Sequence, residues 1–418
     1  MALVLHYNIT MARPGQKGVL THRRSLTDTP KGINRKELDM DTNNDAIPVP
    51  AAGSSGKLGR WRNILRRLYD DLHYLTPLKI VNIALVHLQM ALKTEYVVGR
   101  PYLVMIEPTN ICNANCQLCP TGQGHFARAK GTLEWEEFKK LFDEWSRWIY
   151  RLRLALWGDP LLAPDIYRMI EYAHRARVWT CISSNLHAFH PENGDDVALV
   201  ESGLDEMTCS LHAASQETYE IYQPGRKFEA IVDKIRRLIE TRERMRSKTP
   251  RLVMNFVVTR FNEHEVQKFV DLAHSLGCRP KITEPSLNLR FLVAGRTPAE
   301  RDDEVNALAA KWLPASDKYI IEPYRMLREK SIRFDDLGKQ FNGAKMFPCP
   351  CPWTGMVINW DGGVALCSTR SASEDMGNVH TASLAEIWNS PRYRASRRSF
   401  KHPTDLDVPC ASCSGLLL

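Results

Sequence analysis

Short strand-like segments alternate with helical segments between residues 102 and 285, and this alternation constrains the fold more than any other feature of the chain. Six segments have the pattern of strands, at 102–107, 152–157, 178–184, 206–212, 252–258 and 281–284. Five have the pattern of helices, at 133–147, 163–177, 195–201, 216–242 and 263–276. A helix between two strands carries the chain back along the sheet, so the strands run parallel. The sequence therefore predicts an α/β fold whose chemistry lies beyond the C-terminal ends of the strands.

Three cysteines follow the first strand within eight residues, as Cys112-x-x-x-Cys116-x-x-Cys119. Three thiolates supply three of the four ligands of a cubane iron–sulfur cluster, and the fourth iron stays open for a small molecule. A zinc knuckle needs a fourth protein ligand, and the loop lacks a second short pair of Cys or His residues. A disulfide framework is typical of small secreted chains, whereas this chain has 418 residues and eleven cysteines, an odd number. The spacing favours the cluster.

This motif, in its place after the first strand, resembles that of the radical S-adenosylmethionine (radical SAM) superfamily. The resemblance implies a partial (βα)6 TIM-like barrel and a [4Fe–4S] cluster whose open iron binds S-adenosylmethionine (SAM). It also implies reductive cleavage of SAM to a 5′-deoxyadenosyl radical, with a reducing partner such as flavodoxin or ferredoxin. Members often carry an aromatic residue before the third cysteine. The residue here is Leu118, which offers the adenine an apolar contact without ring stacking.

The ends of the next two strands carry residues that the resemblance assigns to SAM. Gly158, Asp159 and Pro160 are similar to the family motif Gly-Glu-Pro, which holds the SAM amino group. The alternative is a turn in which Asp159 caps a helix. Ser183 and Asn185 are similar to a polar strand end that contacts the SAM ribose or carboxylate. Here the alternative is a turn that satisfies its own backbone.

Two further residues are expected near the mouth of the barrel. His212 ends the fourth strand, where many relatives have Asp after Ser-Leu, and we expect it to contact substrate or accept a proton. The alternative is a core histidine whose hydrogen bonds are satisfied. Arg226 ends a Pro-Gly-Arg turn and is predicted to bind the SAM carboxylate.

Cysteines recur near the C-terminus, around an Asp361-Gly362 turn that is typical of a hairpin. Their spacing resembles a shortened SPASM, or twitch, domain, which carries auxiliary iron–sulfur clusters. The resemblance implies one auxiliary [4Fe–4S] cluster with four ligands, Cys351, Cys367, Cys410 and Cys413. Cys349 is the alternative first ligand, or a catalytic thiol that returns a hydrogen atom to a substrate radical at the barrel mouth. A structural zinc ribbon is the alternative for the whole group.

The predicted organisation has four parts. Residues 1–58, rich in Pro, Gly, Asn, Asp and Thr, are predicted to be disordered. A helical N-terminal extension follows at 59–98, then the barrel at 99–310 and the small SPASM/twitch-like domain at 311–418. Residues 61–93 have the apolar spacing of two helices that separate near Thr76-Pro77. They predict a helical lid on the core or, because Trp61 lies among arginines, a surface that contacts a membrane or a lipid-linked substrate.

Composition restricts the partners and the compartment. The net charge of +8 comes without a nucleic-acid recognition module, so we expect no nucleic-acid partner. No run of 18 apolar residues is present, which argues against a transmembrane helix. A cysteine-rich chain without a signal peptide suits the reducing cytoplasm.

The resemblance implies a radical enzyme. Relatives with a single auxiliary cluster include aminocyclitol and sugar dehydrogenases and epimerases, so the expected reaction is oxidation (dehydrogenation) or epimerisation of a sugar- or cyclitol-type small molecule. One alternative is a peptide maturase that forms crosslinks, and another is modification of a lipid or lipid-linked substrate. The non-enzymatic alternative is a binding protein that uses zinc only for structure.

Overall fold

One nine-stranded sheet forms the framework of the part of the chain that the structure describes. The structure is a computed structural model, and it describes residues 72–125, 128–288, 297–330, 333, 349–368, 371, 374–401 and 410. The strands are β1 (Leu103–Ile106), β2 (Arg151–Arg153), β3 (Trp179–Ser184), β4 (Glu206–Ser210), β5 (Arg251–Val257), β6 (Arg279–Thr283), β7 (Gly355–Ile358), β8 (Gly363–Ala365) and β9 (Gly377–Asn378). The sheet order is β6-β5-β4-β3-β2-β1-β7-β8-β9.

Twelve α-helices lie within the described residues. They are α1 (Pro77–Ala91), α2 (Trp135–Trp145), α3 (Ile166–Arg175), α4 (Asp195–Glu201), α5 (Gln216–Tyr222), α6 (Phe228–Arg244), α7 (Val266–Ser275), α8 (Pro298–Trp312), α9 (Glu322–Arg328), α10 (Cys351–Thr354), α11 (Leu384–Trp388) and α12 (Pro391–Arg398).

The first six strands form the parallel part of the sheet. β1 to β6 lie side by side in chain order, and each pairs with the next in parallel. The predicted α/β fold with parallel strands is therefore confirmed. Most strand ends differ from the prediction by one or two residues, but β2 ends at Arg153, four residues before its predicted end. The helices between the strands pack through apolar residues repeated every three or four positions, because that spacing places them on one side of a helix. In α2, for example, Phe138, Phe142 and Trp145 are buried.

The helix predicted over 216–242 is in fact two helices, α5 and α6. Pro224 and Gly225 lie between them, and Gly225 has a φ of +75°. Proline disfavours the helical conformation in the residue before it, and a positive φ suits glycine far better than other residues. The apolar pattern continues through the break, which is why periodicity alone predicted one helix.

The C-terminal strands extend the same sheet on the other side of β1. β7 pairs with β1 in parallel, with Leu103 opposite Gly355 and Ile106 opposite Ile358. β8 returns antiparallel to β7, and the turn between them contains Gly362 at a φ of +79°. The hairpin predicted at Asp361-Gly362 is therefore confirmed, and its first strand is a direct neighbour of the strand that leads to Cys112.

The N-terminal predictions are covered only in part by the described residues. Residues 1–58 and the first predicted helix, apart from its last residues, lie outside them. The second predicted helix is α1, which begins after Thr76 with Pro77 in its first turn. The boundary predicted at 310 falls inside α8, two residues before that helix ends. The four-part division of the chain stays a prediction.

A buried arginine joins the C-terminal helices to the rest of the fold. Arg397 has no exposed surface, and its guanidinium donates hydrogen bonds to the carbonyl oxygens of Pro352 (2.8 Å), Glu95 (3.0 Å) and Trp388 (2.9 Å). It also lies over the Trp388 ring, 4.4 Å from the centroid. Burial lowers the pKa of Arg397 to about 10, so it remains a cation at neutral pH.

Replacing this arginine by lysine should destabilise the protein markedly. A lysine cannot reproduce a planar set of donors, so Arg397→Lys leaves buried carbonyl groups without partners and should lower the free energy of unfolding by about 2–4 kcal/mol. Denaturant unfolding followed by tryptophan fluorescence measures this loss. The matched control is Arg398→Lys, whose exposed ion pair with Glu95 contributes much less because solvent screens it. Equal effects of the two substitutions would contradict the role given to Arg397.

Candidate active site

The loop after β1 holds the three cysteines of the first motif, all of them half-buried. The Gln117 N–H donates to the Tyr222 carbonyl (3.1 Å), which fixes the loop against the end of α5. Burial, with smaller contributions from nearby negative groups, raises the pKa of Cys112 to about 11 and that of Cys116 well above its ordinary value. The neighbouring groups that contribute include Cys119 in both cases, so the three thiols lie close enough to interact.

This set of donors fits an iron–sulfur cluster. At neutral pH, thiols with raised pKa values are mostly protonated, and binding a metal ion favours their ionised form. A cubane distributes its thiolate ligands over different iron atoms. Within the described residues, no three His, Cys, Asp or Glu side chains converge closely enough to hold a single metal ion.

Gly158 allows the turn after β2 to pack directly on the backbone before Cys112. A Cβ atom at Gly158 would lie 2.2 Å from the Thr109 carbonyl oxygen and 2.6 Å from that of Ile111. The next residue, Asp159, donates its backbone N–H to the Ile111 carbonyl at 2.9 Å. The glycine predicted to approach SAM thus makes its close backbone contact with the residues just before Cys112.

The Asp159 carboxylate is buried and fully engaged with the protein. It accepts hydrogen bonds from the N–H of Leu161 (3.0 Å), the hydroxyl of Ser184 (2.9 Å) and the N–H of Asn185 (2.8 Å). It therefore caps the short 3₁₀ helix Pro160–Leu162, and Pro160 is the first residue of that helix. Burial raises the pKa of Asp159 despite these bonds. The capping alternative is confirmed, while SAM contacts at Asp159 and Pro160 stay predictions.

The end of β3 and the turn after α5 meet beside Cys112. The Asn185 side chain donates to the Cys112 sulfur (3.6 Å) and to Asn113 Oδ1 (3.1 Å). The Arg226 guanidinium donates to the Asn113 carbonyl. Ser183 lies two residues before Asn185, within β3, and its hydroxyl oxygen is 3.4 Å from that of Ser210 at the end of β4. The structure thus brings Asn185 and Arg226 together at the cysteine loop, and their contacts with SAM stay predictions.

His212 is held as a buried, neutral imidazole. It has a φ of +61°, and its Nδ1 accepts a hydrogen bond from the Val257 N–H at 3.2 Å. Burial lowers the pKa of His212 to about 4. Its ring packs edge-on against Tyr222, with 5.0 Å between the centroids. These contacts fit the alternative of a satisfied core histidine, and the predicted catalytic role has no support from them.

Leu118 also faces the protein interior. Its side chain is buried in an apolar cluster with Tyr222, Trp312 and Tyr324, residues of α5, α8 and α9. The Leu118 carbonyl accepts a hydrogen bond from the Asn288 side chain at 2.8 Å. The side chain therefore anchors the loop between the second and third cysteines, and its contact with adenine stays a prediction.

Glu107 is a site residue that sequence reasoning missed. It follows β1, has no exposed surface, and accepts hydrogen bonds from the N–H groups of Trp157 (3.1 Å) and Trp360 (3.4 Å). One carboxylate thus connects the end of β1, the turn that contains Gly158, and the β7–β8 turn. Burial raises the pKa of Glu107 to about 7. A carboxylate at the end of an apolar strand was the signal available in the sequence.

Three of the C-terminal cysteines lie around one tyrosine. Burial strongly raises the pKa of Tyr393, and smaller contributions come from Cys367, Cys410 and Cys351. All three thiols are buried or half-buried. Cys413, the fourth predicted ligand, lies outside the described residues. The described part of the predicted auxiliary ligand set is therefore gathered in one place, next to the buried Arg397 that contacts the Tyr393 ring.

The two cysteine groups lie at opposite ends of paired strands. Cys112 follows the C-terminal end of β1, whereas Cys351 is in α10, directly before the N-terminal end of β7. Four residues of extended strand span about 13 Å. Cys349 lies two residues before Cys351, on the same side. This placement gives no support to Cys349 as the predicted hydrogen-atom donor at the barrel mouth, and that role stays a prediction.

Comparisons with known proteins agree with this arrangement. Residues 106–273 match the model of the radical SAM superfamily, and residues 349–414 match the SPASM iron–sulfur cluster-binding domain. The chain therefore belongs to the radical SAM enzymes that carry a SPASM domain. Membership brings SAM and a [4Fe–4S] cluster as cofactors, and the SPASM domain brings an auxiliary [4Fe–4S] cluster.

The relatives within this family are distant and chemically diverse. The chain is 22% identical over 328 residues to the AdoMet-dependent heme synthase of Oleidesulfovibrio alaskensis, covering 74% of this chain and 79% of the relative. It is 24% identical to the mycofactocin maturase MftC of Mycobacterium ulcerans, covering 72% and 79%. The structure of Streptococcus suis SuiB bound to S-adenosylmethionine has a TM-score of 0.53 at 15% identity, covering 76% and 72%. That likeness concerns the fold.

A methyl group at Gly158 should disrupt the cysteine loop. Gly158→Ala forces backbone atoms apart, so it should lower the free energy of unfolding by about 1–3 kcal/mol and reduce the iron bound at the first cluster. Iron analysis and chemical denaturation measure the two effects. Gly355→Ala is the control, because a Cβ there would meet its nearest atom at 3.4 Å, an ordinary contact. Full iron content in Gly158→Ala would show that the close approach is dispensable.

The stability of the protein should depend on pH through Glu107. Between about pH 4.5 and pH 7 the folded protein holds a proton on Glu107 that the unfolded chain has released. The free energy of unfolding should therefore fall by up to about 3 kcal/mol as the pH rises through this window. Glu107→Gln should remove that part of the dependence, measured by denaturation of both proteins at pH 5 and pH 7.5. Identical slopes for the two proteins would contradict the assignment.

Proposed function

We propose that this protein oxidises a polar small molecule, a sugar- or cyclitol-type alcohol, by radical chemistry. When bound, the first cluster and SAM supply a 5′-deoxyadenosyl radical that removes a hydrogen atom from a substrate carbon. Cys112, Cys116 and Cys119 would hold that cluster, and Asn185 and Arg226 would keep their loop in position. The observation that carries the proposal is the placement of the two cysteine groups at opposite ends of the paired strands β1 and β7, about one strand length apart.

The same placement favours oxidation over epimerisation. Epimerisation needs a hydrogen atom returned to the substrate carbon at the mouth of the barrel. Cys349, the thiol predicted for that task, lies at the other end of the sheet. In oxidation, the substrate radical instead loses one electron and its hydroxyl loses a proton. Together with the earlier removal of a hydrogen atom, these two losses convert the alcohol to a ketone. An auxiliary cluster held by the C-terminal cysteines would take that electron.

Glu284 is the residue proposed to accept the hydroxyl proton. It directly follows β6, at the C-terminal end of the parallel strands where such folds carry their chemistry. Burial raises the pKa of Glu284 to about 7. A carboxylate with a pKa near the working pH is suited to general base catalysis. No feature of the sequence alone indicated this residue, because the shift depends on burial.

A peptide is the second candidate substrate. The relatives include a mycofactocin maturase, and the SuiB fold has also been solved with its precursor peptide SuiA. The relatives also include a heme synthase, so they do not by themselves favour one class of substrate. Helix α1 gives no support to a lipid substrate, because it crosses the end of the barrel that is opposite to the cysteine loop. A cytoplasmic flavodoxin or ferredoxin is the proposed electron donor.

Variants should separate SAM cleavage from substrate oxidation. Cys112→Ala should abolish formation of 5′-deoxyadenosine, because the first cluster loses a ligand. Cys367→Ala should still cleave SAM but yield no ketone, and Glu284→Gln should slow ketone formation by about 10²-fold or more. Anaerobic assays with a panel of sugars, cyclitols and peptides, read by mass spectrometry, measure both products. Iron content checks that each variant retains its other cluster.

Two results would contradict the proposal. Ketone formation at the normal rate in Cys367→Ala would remove the auxiliary cluster from the reaction. A product with unchanged mass and inverted configuration would replace oxidation by epimerisation.

A further inference from the structure

Helix α1 buries two polar side chains together with Ile83, Val86 and Met90, while several large apolar side chains on its other side are exposed. Lys79 and Asn82 are buried. The Lys79 ammonium donates to the Arg177 carbonyl, and the Asn82 amide exchanges two hydrogen bonds with the Arg100 backbone, at 2.9 and 2.8 Å. On the outer side, Val81 is 65% exposed and Leu88 is 56% exposed. The solvent-facing side of a surface helix is normally polar, so the exposed apolar side of α1 is unusual.

Exposed apolar side chains lie on α1, just before the helix and in the loop after it. Within the described residues, eight of the nine large hydrophobic side chains that are exposed belong to this stretch. They are Leu72, Leu78, Ile80, Val81, Leu88, Leu92, Tyr96 and Val98. Single exposed apolar residues need no explanation, but a contiguous apolar surface marks a site of interaction. This set is referred to below as the α1 face.

Cations surround the end of the α1 face. Lys93 donates to the Phe400 carbonyl at 3.3 Å, which places α12 and the residues after it beside the loop that follows α1. Glu95 is the acidic residue in that loop, and its pKa is lowered first by Arg398 and then by Arg394 and Lys401. One carboxylate thus lies among four cations, so the rim is net positive.

We propose that the α1 face binds the surface of an anionic lipid membrane, with α1 lying in the plane of the interface. An apolar helix face enters the boundary between headgroups and acyl chains, and a cationic rim attracts anionic headgroups. The residues just before the described part add to this pattern, since Trp61, Ile64, Leu65 and Leu68 alternate with Arg60, Arg62, Arg66 and Arg67. No helix among the described residues is long and apolar enough to cross a membrane.

A protein occupant fits less well than a lipid surface. The basic N-terminal segment of this chain, folded back on the α1 face, would bring its arginines towards a rim that is already positive. A second copy of the chain would bring two positive rims together. Like charges held close together are unfavourable, whereas anionic headgroups neutralise both the rim and the basic segment.

The α1 face lies at the opposite end of the barrel from the cysteine loop. Tyr74, just before α1, hydrogen-bonds Asp205, which precedes β4. Lys79 contacts Arg177, which precedes β3, and Asn82 contacts Arg100, which precedes β1. The helix therefore crosses the N-terminal ends of the strands. Membrane binding through it is independent of the proposed reaction and leaves the barrel mouth facing away from the bilayer.

Flotation of the anaerobically purified full-length protein with lipid vesicles tests the proposal. We expect binding to vesicles of phosphatidylcholine and phosphatidylglycerol in a 7:3 ratio, and much weaker binding to phosphatidylcholine alone. Val81→Gln combined with Leu88→Gln should weaken binding at least about tenfold through lost apolar burial. Lys93→Glu combined with Arg394→Glu should also weaken it at least about tenfold through lost electrostatic attraction.

The matched control is Arg237→Glu combined with Lys268→Glu, two exposed cations on α6 and α7. It makes the same change in net charge as the rim variant, and it should leave binding almost unchanged. Two results would overturn the proposal. One is equal loss in the rim and control variants, which would mean attraction by net charge alone. The other is a dimer of the wild-type protein that Val81→Gln with Leu88→Gln converts to a monomer, which would make the face an interface between copies.

Discussion

A single buried carboxylate connects the parts of the structure that the chemistry needs. Glu107 lies at the end of β1, five residues before the first cysteine, and it joins the Gly158 turn to the β7–β8 turn through two backbone N–H groups. A buried acceptor without donors would be costly, so the two turns are held where their N–H groups meet Glu107. Glu107 therefore fixes the cysteine loop, the turn after β2 and the SPASM hairpin relative to one another.

Charged side chains extend this connection. Arg128, which follows the cysteine loop, pairs with Asp361 in the hairpin turn and with Asp375 before β9. The Trp360 ring covers Gly131, and its N–H donates to the Ala129 carbonyl at 3.0 Å. The loop after the third cysteine is thus fixed to the SPASM hairpin by ion pairs and a ring. The cysteine loop and the β7–β8 turn of the SPASM domain are therefore joined at the C-terminal ends of the strands.

Periodicity and spacing predicted the framework, and burial decided the rest. The six parallel strands followed from alternating patterns, and the Gly362 turn followed from its residue types, because both are local properties of the chain. The roles of Asp159 and His212 depend on which groups surround them, and a motif resemblance does not report that. Glu107, Glu284 and Arg397 were missed for the same reason, since a charged residue looks alike in a sequence whether it is buried or exposed.

The pairing of β1 with β7 has a consequence for the order of folding. β1 pairs with β2, which lies about 50 residues later in the chain, and with β7, which lies about 250 residues later. Closing the longer loop costs more conformational entropy, and contacts between distant residues form slowly. We therefore expect β1 to pair with β2 before β7 joins the sheet. On that order of folding, the second set of cysteines would be assembled on a sheet that already exists.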